Sequence, residues 1–303
     1  MNISDQYQGP IRSALFVPGN QPDRIDNATA SDADMIIIDL EDAVPPNHKK
    51  EARLIVRGKL AQHSERRVAV RINALGSGFC ADDLKAMFLA GIKSIMLPKV
   101  ESADHVQEIH SQLMLLEREH NIAIGSTPLF ILIESALGIQ NSFHIISLKT
   151  DPVRQLIAAF GAADYGLDLG IDITREGDEL IYPRSRLAIA SRAAGVEPPI
   201  DTPFMLDLKD TDAFKADARR AKSLGFQGKL CIHPLQIEPC HEVFSPGLDE
   251  IAFAERVCRA YDEASQTQGV GAIQLDGKMI DYPVVERCRG ILKWAASIKN
   301  NKK

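Results

Sequence analysis

Residues 129–164 read LFILIESALGIQNSFHIISLKTDPVRQLIAAFGAAD, and this stretch decides the fold. It holds two short apolar runs, Leu129–Ile133 and Gln155–Phe160, and a carboxylate follows each: Glu134 closes LFILIE and Asp164 closes LIAAFGAAD. A strand covered on both faces has no solvent side, so near-continuous apolar runs of this length predict a parallel sheet buried between helices.

Working outward, six more such runs can be marked: Ser13–Val17, Met35–Leu40, Arg67–Ile72, Ser94–Leu97, Ile200–Leu206 and Gly228–Ile232. Between the runs lie segments of helical spacing or composition, among them Ser102–Glu119, Arg184–Ala194 and Asp212–Leu224. Gly195 and Gly225 follow the last two as C-terminal stops. Eight strands alternating with helices predict an α/β fold, a TIM (β/α)8 barrel. A doubly wound open sheet alternates in the same way and also places function at its strand ends. After Pro234 the pattern turns helical, broken at Gly269–Pro283 (GVGAIQLDGKMIDYP) and ending in the basic tail Lys299–Lys303. The expected division is a barrel over 1–234 and a C-terminal helical extension over 235–303 that packs on a neighbouring subunit.

Composition narrows the function classes. A chain of 303 residues, 45% hydrophobic and 25% charged, has the make-up of an ordinary globular protein. A net charge of −6, with no stretch where basic residues concentrate into a face, argues against a nucleic-acid partner. No apolar run reaches the length of a membrane span, and MNISDQYQGPIR has neither a basic start nor an apolar signal segment. Cytoplasmic location with no membrane partner is therefore expected. The five cysteines, Cys80, Cys231, Cys240, Cys258 and Cys288, are odd in number and lack CxxC spacing, as suits reduced structural thiols.

Polar residues gather where the apolar runs stop: Asp39, Glu41, Arg71, Lys99, Glu134, Asp164 and His233. In a barrel these ends form one mouth. Glu134 and Asp164, from adjacent strands, suit Mg2+, which takes few protein carboxylates and keeps water and substrate oxygens. Each could equally be a solvated loop acid or the partner of an Arg or Lys. Arg71 ends RVAVRIN on the inward-facing alternation, where a guanidinium can bind a carboxylate or oxyanion through two parallel bonds. A salt bridge to Glu41 or Asp42 is its structural alternative. Asp39–Asp42 (DLED) sets three carboxylates together, which repel unless cations or a metal hydrate sit nearby. Gly161–Asp164 (GAAD), with Ala163 inside it, lets a ligand approach backbone N–H groups. His233, before Pro234, can aim inward or simply cap its strand. No Ser-His-Asp order, nucleophile elbow or phosphate-cradling loop occurs.

Eight motifs then follow in order: SALFVPGN, IIIDLEDAV, VRIN, MLPKVES, LIESALGI, FGAADYGLDLG, LCIHPLQI and DGKMIDYPVVERC. From Ser13 to about Cys288 the chain resembles citrate lyase β-subunit-like proteins, which include citryl, malyl and citramalyl thioester lyases within the HpcH/HpaI aldolase superfamily. The resemblance implies a carbon–carbon lyase with Mg2+ on Glu134 and Asp164, and with substrate and enolate contacts from Arg71. It also implies a catalytic Asp281 delivered by the C-terminal segment of an adjacent subunit, hence a homo-oligomer, trimer or hexamer, with shared sites. Phe16, Glu41, Ala163, Ile232 and His233 complete the implied substrate-binding set, Ile232 and His233 facing CoA. Malyl-CoA lyases carry basic residues where this chain has Gln21 and Asn27, which leaves Arg24 as the candidate for that charge. CIHP at Cys231–Pro234 is similar to the CoA-using members. The expected reaction is cleavage of a β-hydroxy acyl-CoA, first citramalyl-CoA, to acetyl-CoA and pyruvate. The alternatives are a citryl lyase β subunit acting on acyl carrier protein, and a malyl-CoA lyase or thioesterase.

Overall fold

Eight parallel strands close into a barrel in sequence order: β1 (Ser13–Pro18), β2 (Met35–Asp39), β3 (Val68–Arg71), β4 (Ile95–Leu97), β5 (Leu129–Ile133), β6 (Leu156–Phe160), β7 (Ile200–Asp201) and β8 (Gly228–Cys231). Pairing of Ser13 with Lys229 and Ala14 with Leu230 seals the ring. The coordinates are a computed structural model, and they describe residues 9–268 and 271–300. The expected barrel is therefore present, and the open-sheet alternative is excluded.

Around it run α1 (Pro22–Thr29), α2 (Lys49–Gln62), α3 (Cys80–Leu89), α4 (Ala103–Glu119), α5 (Ala136–Ile146), α6 (Ala162–Leu169), α7 (Ile181–Ala194) and α8 (Thr211–Leu224). Ser102 caps α4, its Oγ accepting from His105 N at 3.3 Å, so that helix begins one residue later than its spacing predicts. Gly195 and Gly225 end α7 and α8 at φ 72° and 105°, the left-handed stop expected of them.

Strand interiors alternate. Ala14, Met35, Ile37, Ala69, Met96, Phe130, Leu132, Ile157, Ala159, Ile200 and Leu230 fill the barrel centre, while the residues between them meet the helices. With both faces covered, none of these strands needs a polar side.

The expected strand Ile200–Leu206 contracts to two residues. Pro203 has no N–H for a ladder and directs the chain away. Side chains hold what the ladder does not. On the outer face of the wall, fully buried Arg184 of α7 donates to both oxygens of Asp201 at 2.9 and 3.0 Å. Buried Lys229 of β8 bonds Asp201 and reaches Asp217 of α8 at 2.7 Å. Two acids and two cations thus neutralise one another, the condition for burying charge.

The chain divides into two compact units between Glu242 and Val243. After α9 (Ile237–Phe244), the second unit contains α10 (Leu248–Gln268), the antiparallel pair β9 (Ala272–Leu275) and β10 (Lys278–Asp281), and α11 (Tyr282–Asn300). The break expected in the helical extension is thus a hairpin, turned by Asp276 and Gly277 at φ 52° and 75°. Its own core is Ala254, Val257, Ile280, Val285 and Cys288. Gly269, Val270 and the basic tail beyond Asn300 lie outside the described residues. All five cysteines are free thiols, and no described helix is long and apolar enough to cross a membrane.

Candidate active site

The alternation that fills the barrel also builds its mouth. One inward step beyond the core layer come Phe16 after Ala14, Asp39 after Ile37, Arg71 after Ala69, Glu134 after Leu132, Gly161 after Ala159, Thr202 after Ile200 and Ile232 after Leu230. All seven line a cavity of about 470 Å3.

Glu134 is 5% exposed, and its Oε1 accepts the Lys99 N–H at 2.8 Å. Its partner is placed differently from the sequence expectation. β6 stops at Phe160, and Asp164 lies in the first turn of α6, where a carboxylate meets the positive end of the helix. Burial, with Asp164 next, pushes the Glu134 carboxyl up to about 8. Gly161 completes the cradle: a Cβ there would stand 2.6 Å from Glu134 Oε2, so only glycine leaves room for the carboxylate. Among the described residues no three His, Cys, Asp or Glu side chains form a metal group. Two carboxylates opening on a cavity nevertheless fit an ion that keeps several waters, and hard oxygens suit Mg2+.

Thr202 fixes α6 from the β7 side. Thr202 is buried, and its hydroxyl accepts the Ala162 N–H at 2.9 Å, at the start of the helix that carries Asp164.

Arg71 points into the mouth as its alternation requires, and it is held on three sides. Nε and Nη2 donate to the two oxygens of Asp39 at 2.7 Å each. Nη1 lies 3.0 Å from Glu41 and 3.7 Å from Asp42, the salt bridges anticipated for it. Its Cζ lies 5.0 Å from the Phe16 ring centroid. Asp39 is thus the fork's main partner, and it also accepts the Glu41 and Ala43 amides at 2.8 and 3.0 Å. The cations that the DLED run needs are Arg71, Lys99 (2.8 Å from Glu41) and buried Lys49. Lys49 Nζ donates to the Leu40 and Glu41 carbonyls at 2.7 and 2.6 Å. Burial pushes the Glu41 carboxyl upward against the pull of Arg71.

Of the residues named from sequence, Phe16, Arg71, Glu134, Ala163, Asp164 and Ile232 line this one cavity. Glu41 stands behind Arg71 and does not line it. His233 also lies off the cavity: its Nδ1 accepts the Leu235 N–H at 3.2 Å and caps the short 3-10 turn Pro234–Gln236 that follows the strand. Asp281 lies in the second unit, where its Oδ1 accepts the Val284 N–H at 3.3 Å and caps α11. Arg24 lines the cavity, is exposed, and makes no ion pair among the described residues. Asp39, expected at the mouth as a strand-end acid, lines it too, and Thr202 and Met205 line it unanticipated. For Thr202 the two-residue step from Ile200 was an available signal.

A closed barrel with two acids and a braced guanidinium gathered at one mouth defines a class, that of barrel enzymes whose working residues stand at the strand ends. The chain belongs to the HpcH/HpaI aldolase/citrate lyase family, which matches residues 12–234. It is similar to the citrate lyase subunit beta of Leuconostoc mesenteroides subsp. cremoris, 38% identical over 94% of this chain and 93% of that protein. It is also similar to the mitochondrial citramalyl-CoA lyase of Rattus norvegicus, 31% identical over 98% and 90% of the two chains. Among solved structures, protein CitE from Mycobacterium tuberculosis in complex with magnesium, acetoacetate and coenzyme A matches with a TM-score of 0.75. The identity is 30%, over 96% of this chain and 99% of that one. The protein is a carbon–carbon lyase of the citrate lyase and CoA-ester lyase group.

Proposed function

We propose that this protein is a Mg2+-dependent lyase that cleaves a β-hydroxy dicarboxylic acyl-CoA, with citramalyl-CoA the first candidate, to acetyl-CoA and a 2-oxo acid, here pyruvate. The observation that carries this reading is the pairing of Glu134 and Asp164 in one cavity with the braced Arg71. The resemblance to citramalyl-CoA lyases and to a CitE structure holding magnesium and coenzyme A supports it.

Glu134 and Asp164 would hold the ion, which when bound supplies Lewis-acid polarisation of the substrate's hydroxyl and carboxylate oxygens. Arg71 stabilises the negative charge that moves onto the thioester oxygen as the carbon–carbon bond breaks. Its fork is already oriented by Asp39, so little reorganisation accompanies that charge shift. The substrate hydroxyl releases its proton to solvent as it becomes the carbonyl of the 2-oxo acid. Asp281 from a second copy hands a proton to the enolate carbon, is reprotonated from solvent, and completes the acetyl group, which makes the active species a homo-oligomer, trimer or hexamer. Arg24 offers the rim a cation for the anionic part of CoA, with Ile232 and His233 on the CoA side. Five free cysteines suit a cytoplasmic setting.

A second reading has its own support, because citrate lyase β subunits match at 36–38% identity against 31% for citramalyl-CoA lyases. The substrate would then be a citryl group on acyl carrier protein. Assay of the purified chain against citramalyl-, malyl- and citryl-CoA and citryl-acyl carrier protein separates the two. Acetyl-CoA and pyruvate from citramalyl-CoA are expected; turnover of the carrier-bound substrate alone selects the second reading, and release of free CoA indicates a thioesterase.

A further inference from the structure

We propose that the Lys99 ammonium is the resident counter-ion of Asp164 in the acid pair, and that a divalent cation enters the site by pushing it off Asp164 while it stays on Glu41 and draws toward Asp42. The inference rests on the reading of Glu134 and Asp164 as the cation-holding pair.

Three non-glycine residues among those described have positive φ: Lys99 at 56°, Asn121 at 56° and Asp276 at 52°. Asn and Asp visit the left-handed region through local side-chain bonds, whereas Lys has no such aid. Its conformation is therefore imposed by what it touches. That turn sends the Lys99 N–H to Glu134 Oε1 at 2.8 Å. The side chain then returns across the mouth, with Nζ at 2.8 Å from Glu41, 3.4 Å from Asp42 and 3.8 Å from Asp164. A single residue thus meets both acids of the pair, one with its amide and the other with its ammonium.

The charge balance explains why it must. Asp42, Glu134 and Asp164 line one mouth with Glu41 behind them, and the Arg71 guanidinium is committed through its fork to Asp39 and through Nη1 to Glu41. Without Lys99 these carboxylates would keep only Arg71, shared with Asp39, and Lys49, whose ammonium is spent on the Leu40 and Glu41 carbonyls, a balance that like-charge repulsion opposes. The ammonium is not held equally by its partners. It bonds Glu41 at hydrogen-bond length, whereas 3.8 Å to Asp164 is a through-space attraction only. The side chain is 45% exposed, so it can leave Asp164 and keep Glu41. A divalent ion on Asp164 repels a charge a few ångströms away. Asp42, 54% exposed and already 3.4 Å distant, stands on the side to which the ammonium withdraws. Lys99 thus sets ion affinity below what the two carboxylates would give alone, and it acts as a positioning residue, outside the reacting groups.

The test is direct binding of Mn2+ to the full chain by electron paramagnetic resonance, with Mg2+ titration calorimetry beside it. Lys99→Met removes the charge; Lys99→Gly removes it and also suits the left-handed backbone, so strain cannot prevent its folding. Both should bind Mn2+ roughly tenfold more tightly than wild type, the scale of losing one nearby like charge. Lys99→Arg should bind as wild type does. Unchanged or weaker binding in both neutral variants, or tightening in Lys99→Arg, overturns the displacement. Failure of the wild-type chain to bind Mn2+ at all would instead refute the underlying assignment of the acid pair.

Discussion

Replacing Gly161 with Ala adds one methyl group where the mouth has no room. The new Cβ would lie 2.6 Å from Glu134 Oε2 and 2.8 Å from Glu134 Cβ. Backbone conformation is no obstacle, since φ −114° and ψ 95° suit any residue. Both separations must open to about 3.4 Å, where ordinary contact begins. The carboxylate oxygen can swing away, but Cβ is tied to the backbone after β5, so the wall itself must give. Overpacking of this kind costs about 1–3 kcal/mol, and the displaced carboxylate leaves the cradle. Mg2+ demands near-ideal ligands at about 2.0–2.1 Å, and misplacement near 1 Å in a reacting assembly costs on the order of 10² in rate. Gly161→Ala should therefore lower the urea midpoint modestly, weaken Mn2+ binding at least about tenfold, and reduce kcat about a hundredfold. Titration calorimetry, urea unfolding followed by circular dichroism, and steady-state assay measure the three. A folded variant with wild-type metal affinity and turnover would refute both the cradle and the role given to Glu134.

Arg71→Lys cannot reproduce both 2.7 Å bonds to Asp39, so turnover should fall by a factor on the order of 10²–10³. An unchanged kcat removes Arg71 from the chemistry. Glu134, raised from 4.5 to about 8 by burial and then Asp164, favours its neutral form in the fold. Its contribution to stability is thus complete below about 4.5 and lost as pH rises through about 8. In chelator the wild-type urea midpoint, measured against Glu134→Gln, should fall across that window while Mn2+ affinity rises; a flat difference contradicts the shift. Asp164→Asn removes the second cause, so the rise in Mn2+ affinity should move to lower pH, while overall affinity drops with the lost ligand. Inactive Asp281→Asn and inactive Glu134→Gln subunits, mixed and exchanged, should regain activity if sites are shared between copies, and no recovery after verified exchange rules that out.

The barrel was legible because buried parallel strands leave a plain signature, eight apolar runs with polar ends. Arg71 was legible because period-two alternation carries it inward and Glu134 because it ends its strand, whereas Phe16 and Ile232, carried inward by the same alternation, were named only through the family resemblance. β7 was overread because apolar composition in Ile200–Leu206 says nothing about ladder bonds, and Pro203 was the signal to weigh. Asp164 belongs to a helix because GAAD can end a strand or start a helix with equal ease. Lys99 was visible only as a strand-end cation. Its positive φ comes from partners far away in sequence, Glu41 and Glu134 above all, and no local pattern encodes it. The bracing of Arg71 by Asp39 was hidden in the same way, by a register between β2 and β3 that pairs these two residues.

The short strand β7 has a consequence for how such an enzyme changes over generations. It joins β6 through the Ala159–Ile200 pair and β8 through Ile200–Gly228 and Asp201–Lys229. Much of this seam is stitched by side chains instead. Arg184 and Lys229 grip Asp201 from behind, Asp217 bridges the two cations, and Thr202 ties the front to Ala162. A backbone ladder is indifferent to sequence, whereas a stitched seam is written in it. Substitutions at Arg184, Asp217 or Lys229, none of which lines the cavity at the mouth, therefore shift the ground on which α6 and Asp164 stand. Selection has a remote handle on the mouth, by which a lineage can retune its chemistry and leave the reacting residues in place.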